Sequence, residues 1–410
     1  MITNIPKHWK IKKLGEIANI SSGTTPFRKN PLFYDNADIP WVKTTDLNNS
    51  YITTTEEKVS MYALNNTSLR LYPTNTVLVA MYGGFNQIGR TGKLAMEATI
   101  NQALSALVLK NDDVNSDYLL FWLNANVEKW KRFAGSSRKD PNINGKDVAE
   151  FSILIPPLEE QEKIAEILLT CDKAIRLTTQ IITQLKQRNQ GLAQQLLTGE
   201  KRIKGFENSV WKEVRLGKIG DTYNGLTGKS KEDFGEGKSY IPYLNIFSNH
   251  IVDSATFELV KIDIDDKQNK VIYGDILFTI SSETPDEVGM SSVMLSNIDE
   301  LYLNSFCFGF RLYNFDNLLP QYACYLFRNK DFRKEIVRLA QGSTRFNLSK
   351  SEFLKTRVFL PTLTEQNVIA QILDTAHQEL KLYEQKLQVL QAQKKTLMQK
   401  LLTGEILTIK

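Results

Sequence analysis

The side chains best suited to chemistry lie in two short polar loops. Gly135-Ser136-Ser137-Arg138 leads on to Lys139 and Asn142, and Gly342-Ser343-Thr344-Arg345 leads on to Asn347. Arg and Lys pair with guanine or with phosphate, and Asn pairs with adenine. One such loop alone reads as a solvated turn. The same loop at matching places in two diverged segments reads as recognition. Arg138, Lys139, Asn142, Thr344, Arg345 and Asn347 are therefore the first candidates for contact with DNA. A second rank comprises Lys43, Thr44, Thr45, Tyr82, Arg90 and Gln102 in the first half, and Asn245, Ser281, Ser282 and Asn304 in the second.

Other motifs carry less. Gly84-Phe85-Asn86-Gln87-Ile88-Gly89-Arg90-Thr91 nearly fits a phosphate loop but lacks the Lys that must reach the phosphates. Asn30-Pro31-Leu32-Phe33 approaches the Asn-Pro-Pro-Tyr/Phe motif of adenine methyltransferases without its second Pro, and no Gly-rich cofactor loop accompanies it. The histidines His8, His250 and His377 do not cluster in sequence and read as surface or packing residues. Cys171, Cys307 and Cys324 form neither a disulfide frame nor a zinc motif. No catalytic residue and no metal ligand is expected in this chain.

A repeat positions the two loops. Pro156–Glu200 returns without a gap as Pro361–Glu405, an offset of 205 residues, with Leu-Leu-Thr-Gly-Glu closing each copy. Each copy opens on Pro and closes on Gly-Glu, so that Pro comes just before and Gly just after a single long helix. Ile164, Leu168, Ile175, Leu185 and Leu192 mark a 4,3-spaced seam in the first. Ile369, Leu373, Leu380, Leu387 and Leu397 mark it in the second. A seam of about five heptads predicts a coiled coil. Asn189 and Lys394 fall at equivalent seam positions, where they either fix register or are tolerated. A tandem duplication packs most easily about a pseudo-twofold axis, which makes the helix pair antiparallel. Inserting one turn after Gln184 should then alter the separation of what the two halves recognise, without altering either recognised sequence.

The repeat extends weakly beyond the helices. Trp9-Lys10-Ile11 matches Trp211-Lys212-Glu213, Gly23 matches Gly225, and Ile39-Pro40-Trp41-Val42 matches Ile241-Pro242-Tyr243-Leu244. The tryptophans and Tyr243 read as core rather than as base-stacking groups. The expected domains are residues 1–155, a helix at 156–204, residues 205–360 and a helix at 361–410. Short β-like runs and one helical segment per module (Ser116–Arg132 and Pro320–Arg338) predict an α+β fold. The fold class is thus two globular recognition domains separated by an antiparallel coiled coil, with an internal pseudo-twofold repeat. A net charge of +5 over 410 residues is too mild to announce a nucleic-acid binder by itself. No run is apolar enough for a membrane helix and no export signal is seen, so a cytoplasmic protein is expected.

PPLEEQEKIAEIL…LLTGE, repeated as PTLTEQNVIAQIL…LLTGE, resembles the conserved regions of type I restriction–modification specificity subunits. The opening Trp-x-x-x-x-Leu-Gly-x-Ile of each module and the Gly-Ser-Ser/Thr-Arg loops also fit. The resemblance implies that each module is a target-recognition domain reading one half of an asymmetric bipartite site in double-stranded DNA. It implies that the helices set the unread spacer and dock two modification subunits, to which restriction subunits then join. S-adenosylmethionine, ATP and Mg are implied on those partners rather than on this chain. The alternatives are a two-headed coiled-coil adaptor without DNA specificity, and a stand-alone methyltransferase or nuclease.

Overall fold

The computed structural model describes residues 5–84, 86–133 and 142–408, with only the backbone of residues 131–133. The repeat becomes two helices of 40 residues each, Leu158–Leu197 and Leu363–Leu402. The chain divides into two compact units. Unit 1 is Met1–Thr179 with Gln385–Lys410, and unit 2 is Gln180–Glu384. Each unit therefore takes one half of each long helix.

Within both units the two helix segments run antiparallel. In unit 1, Leu168 shares a core with Leu397 and Leu401, and Asp172 pairs with Lys394 at 2.5 Å. In unit 2, Lys186 pairs with Glu384, Arg188 with Glu379, and Leu196 shares a core with Ile369. Numbering rises on one helix as it falls on the other. Ile164, Leu168, Leu185, Ile369 and Leu373 of the seam are buried, while Ile175, Leu192, Leu380, Leu387 and Leu397 are half-buried. Both polar seam residues have partners on the other helix: Asn189 donates to the Ala376 carbonyl at 2.8 Å, and Lys394 takes Asp172. Such directional bonds favour one register over its neighbours.

The Glu-Gln pair that opens each long helix is a structural clamp. Gln161, fully buried, donates to the carbonyls of Pro156 (2.9 Å) and Asp113 (3.1 Å) and accepts from the Asn115 amide (2.9 Å). Gln366 repeats this with Pro361, Asn317 and the Leu319 amide. Glu160 accepts from Trp9 Nε1 at 2.9 Å and meets His8. Glu365 instead receives the Arg202 guanidinium and the Ser209 hydroxyl. Each unit is thereby tied to the start of a long helix by groups that would be costly to leave unpaired.

Unit 1 is built on a five-stranded sheet in the order Ala18–Ser22, Leu104–Leu109, Val77–Ala80, Thr91–Leu94, Tyr51–Ile52. Its second sheet pairs Ile39–Val42 in parallel with Thr99–Ile100. In unit 2 the corresponding strands are Gly220–Asn224, Cys307–Leu312, Ile276–Thr279 and Ser291–Val293, with Phe234–Ile241 parallel to Tyr302–Leu303. Gly23 and Gly225 are equivalent for a steric reason. A Cβ on Gly23 would lie 2.2 Å from the Ile100 carbonyl oxygen, and one on Gly225 would lie 2.0 Å from that of Asn304.

Two sequence expectations need correction here. Each helical segment is in fact two helices: Ser116–Ala125 with Val127–Phe133, and Pro320–Leu326 with Lys330–Leu339. The joints are Asn126, whose side chain bonds back to the Trp122 carbonyl, and Asn329, which caps the second helix through the Asp331 and Phe332 amides. Asn competes for backbone groups in this way and so ends helices. The match of Ile39-Pro40-Trp41-Val42 with Ile241-Pro242-Tyr243-Leu244 is also displaced by three residues. Val42 O accepts from Asn101 N and Ile241 O accepts from Asn304 N, so Val42 corresponds to Ile241 and Trp41 to Tyr240. Thr44, Thr45 and Asp46 then correspond to Tyr243, Leu244 and Asn245.

Two of the histidines are packing residues, as expected, although they are far apart in sequence. His250 and His377 pack ring against ring in unit 2, with centroids 4.3 Å apart, and Tyr325 covers His250 at 5.2 Å. Burial, then His377 and Arg328, push the His250 pKa down to about 3. The neutral ring is native, whereas the unfolded chain protonates near 6.5. This contribution to stability is complete above pH 6.5 and falls as pH drops towards 3, by roughly 1 kcal/mol per unit. His250→Phe is expected to flatten the loss of unit 2 stability between pH 6.5 and 4.5 in thermal unfolding; an unchanged slope would assign that loss to other groups.

Candidate nucleic-acid interface

Backbone bonds gather the unit 1 candidates at one margin of its two sheets. Asn101 N donates to Val42 O (2.9 Å), and Met81 N to Ala103 O (2.8 Å). Ile143 N donates to Met81 O (3.0 Å), and Ala80 N to Arg90 O (2.8 Å). Lys43, Thr44, Thr45, Tyr82, Arg90, Gln102 and Asn142 flank these junctions. Thr45, Tyr82, Gln102 and Asn142 are exposed, and Thr44 is half-buried. The two cations are engaged within the unit. Lys43 bridges Glu56 (2.8 Å) and Glu57 (2.6 Å), and those hydrogen bonds raise its pKa. Arg90 donates to Gln87 at 2.8 Å and to the Leu47 carbonyl. Arg138 and Lys139 lie outside the described residues.

Unit 2 repeats the same junctions. Asn304 N donates to Ile241 O (3.1 Å), Ile280 N to Phe306 O (2.9 Å) and Leu348 N to Ile280 O (2.9 Å). Ser281 pairs with Asn347 across two short strands. Thr344, Arg345 and Asn347 are exposed at this margin. Ser281 and Ser282 are nearly covered, and Ser282 donates to Glu287 at 3.1 Å. Gly342 is demanded by the turn: its φ is +137°, and a Cβ would meet the Arg345 carbonyl oxygen at 2.0 Å.

Two candidates have structural work instead. Asn245 is buried, donates to Asp253 O (2.7 Å) and Thr256 Oγ1 (2.8 Å), and accepts from Asp253 N (3.1 Å). No free group remains for a ligand, which corrects its place among the contact residues. Asn304 Oδ1 accepts from the Phe306 amide at 2.8 Å, as Asn101 does from Ala103 at 3.2 Å, so each shapes its own turn. Sequence reasoning missed Tyr243, Leu244 and Phe306, which stand at the unit 2 margin. Leu244 is 71% exposed and Phe306 56%. The displaced repeat match hid the first two by pairing them with the core residues Trp41 and Val42.

The remaining motifs are structural. The Gly-rich run after Ala80 is a hairpin connection, with Gln87 N bonded to Gly84 O at 3.0 Å and strand Thr91–Leu94 following it. A phosphate loop needs a helix N-terminus there. Asn30 caps a single turn through the Leu32 amide. No group of three or more His, Cys, Asp or Glu side chains suited to a metal occurs among the described residues. Among them, too, no helix is long and apolar enough to cross a membrane.

Comparison with known proteins agrees with this architecture. The family described as Type I restriction modification DNA specificity domain matches residues 6–187 and 208–392. The MjaIX type I restriction enzyme specificity subunit of Methanocaldococcus jannaschii is 25% identical, over 99% of this chain and 95% of its own. The EcoKI specificity subunit of Escherichia coli is 22% identical over 88% of this chain and 80% of its own. The crystal structure of the S subunit of a type I restriction–modification system from M. genitalium superposes with a TM-score of 0.59 at 16% identity. It covers 98% of this chain and 97% of the other.

Proposed function

The chain belongs to the type I restriction modification DNA specificity domain family, and on that premise we propose how its two units divide the work. It is the sequence-specific DNA-binding subunit of a type I restriction–modification complex. Unit 1 reads one half of a bipartite site and unit 2 the other. The observation that carries this is one backbone scaffold presenting two different sets of side chains at the same margin. Differing sets make the site asymmetric. In unit 1 the exposed Thr45, Tyr82, Gln102 and Asn142, with Arg138 and Lys139, meet the DNA; in unit 2 Thr344, Arg345 and Asn347 do.

The long helices hold the modification subunits. Apolar side chains off the seam support this: Leu177 and Val389 in unit 1 and Leu382 in unit 2 are exposed, as expected of helices that bury a second face in an assembly. Two modification subunits would bring S-adenosylmethionine and the methyl transfer. Restriction subunits would bring ATP, Mg and cleavage, all in the cytoplasm where the DNA is. This chain contributes recognition rather than catalysis. The adaptor alternative offers no reason for paired cationic segments at matched positions in the sequence.

The test is single-molecule methylation mapping of DNA from cells co-expressing this chain with its modification subunit. A bipartite asymmetric motif with N6-methyladenine in each half is expected. Methylation by this chain alone would mean that it is itself catalytic. Arg345→Ala is expected to lower affinity by about 1–3 kcal/mol in a binding titration. Loss confined to one base pair would identify a base contact; an equal loss on all sequences would identify a phosphate contact.

A further inference from the structure

On the reading that each unit meets one half-site, we infer that unit 2 identifies its half-site through the 5-methyl group of a thymine, held by Tyr243, Leu244 and Phe306. Thymine alone shows a methyl group in the major groove, and apolar side chains read it there. These three residues line one cavity of about 350 Å³, together with Phe247 and the cation of Arg345. The Tyr243 and Phe247 rings stack with centroids 6.0 Å apart. The Tyr243 hydroxyl donates to Ser281 O at 2.9 Å, which fixes its ring beside the short strand. Phe306 is held at the tip of its turn by the Asn304 carboxamide, and its own carbonyl accepts from Ile280 N. An apolar floor is thus rigidly presented beside Arg345 and Asn347.

Two features point to a base edge rather than to the DNA backbone. Glu283 and Glu287 also line this cavity. Carboxylates repel phosphate but accept hydrogen bonds from the amino group of cytosine. The second feature is the exchange between units. Where unit 2 has Tyr243, Leu244 and Phe306, unit 1 has Thr44, Thr45 and Ala103 on the same backbone junctions. Two hydroxyls and a small methyl group in one unit, against large aromatic and aliphatic groups in the other, are what two readers of different sequences need.

The test uses the complex of the full chain with its modification subunits and duplexes carrying the mapped site. Each thymine of the unit 2 half-site is replaced in turn by deoxyuridine, which removes only the methyl. At one position affinity is expected to fall about 4-fold, since a buried methyl contributes on the order of 0.8 kcal/mol. Leu244→Ser with Phe306→Ala should erase that difference while leaving dependence on the unit 1 half-site intact. Both residues are exposed, so the fold is retained. Indifference to every deoxyuridine, a unit 2 half-site without any A·T pair, or discrimination surviving in the double variant would each overturn the inference. Binding that depends on neither half-site sequence would overturn the DNA reading as well.

Discussion

Exchange of Arg328 for methionine is expected to destabilise unit 2 by about 3–5 kcal/mol. The guanidinium is largely enclosed and donates to four backbone carbonyls. Nε bonds Ser291 O at 2.6 Å, and Nη2 bonds Ile246 O (2.7 Å), Phe247 O (3.0 Å) and Asn249 O (2.7 Å). Three of these acceptors end the short helix Tyr243–Ser248, where carbonyls have no intrahelical donor. Burial, and next the nearby Arg333, lower the Arg328 pKa to about 10, so the group remains charged at neutral pH. Methionine fills the volume but donates nothing. Arg328→Lys keeps a charge but offers fewer, differently placed donors, and an intermediate loss is expected. Hydrogen exchange resolves the prediction by unit: amides of the four-stranded sheet of unit 2 should lose protection, while those of the five-stranded sheet of unit 1 keep theirs. Equal protection in wild type and Arg328→Met would mean that the carbonyls find other donors. The consequence for recognition is direct, because the same helix carries Tyr243 and Leu244.

Gln161→Leu and Gln366→Leu form the second prediction, with an expected loss of about 3 kcal/mol in unit 1 and unit 2 respectively. Leucine is close to isosteric but strands two carbonyls and one amide in each case, one carbonyl (Pro156 or Pro361) in a buried bond and the others in part-buried ones. Gln→Glu is a sharper comparison. It keeps the acceptor for the Asn115 or Leu319 amide, but turns the donor towards two carbonyls into a second acceptor. Its loss should equal or exceed that of Leu. The two sites share no partner, so the effects should add in the double variant. Urea unfolding followed by Trp fluorescence measures this: Trp9 lies in the unit 1 core and Trp211 packs against the unit 2 core. A loss under 1 kcal/mol in both variants would show that the clamp contributes little.

The pattern of agreement and error has a common origin. The heptad seam and the antiparallel helix pair were legible because periodic apolar spacing is a local property that a 45-residue repeat states twice. The polar seam residues were visible, but not their cross-helix partners: Asn189 finds a backbone carbonyl and Lys394 a carboxylate, 187 and 222 residues away in sequence. Glu160-Gln161 was read as part of a family signature, without a reason for it. The reason is a set of bonds to Trp9, Asp113 and Asn115, which no local pattern reveals.

The sequence by itself therefore determined the duplication, the two long helices, the α+β modules and the family. It also picked out margin residues that proved adjacent, Tyr82, Gln102 and Asn142 in unit 1 and Thr344, Arg345 and Asn347 in unit 2. Only the tertiary structure decided which strand residues truly correspond, since register is set by bonds such as Val42 O to Asn101 N rather than by resemblance between short runs. It alone separated Asn245, buried and bonded inside unit 2, from Arg345 and Asn347, which are exposed at its surface. It alone brought His250 to His377 and Phe306 to Leu244. Burial and pairing depend on groups far away in the chain, and a single short motif contains no information about them.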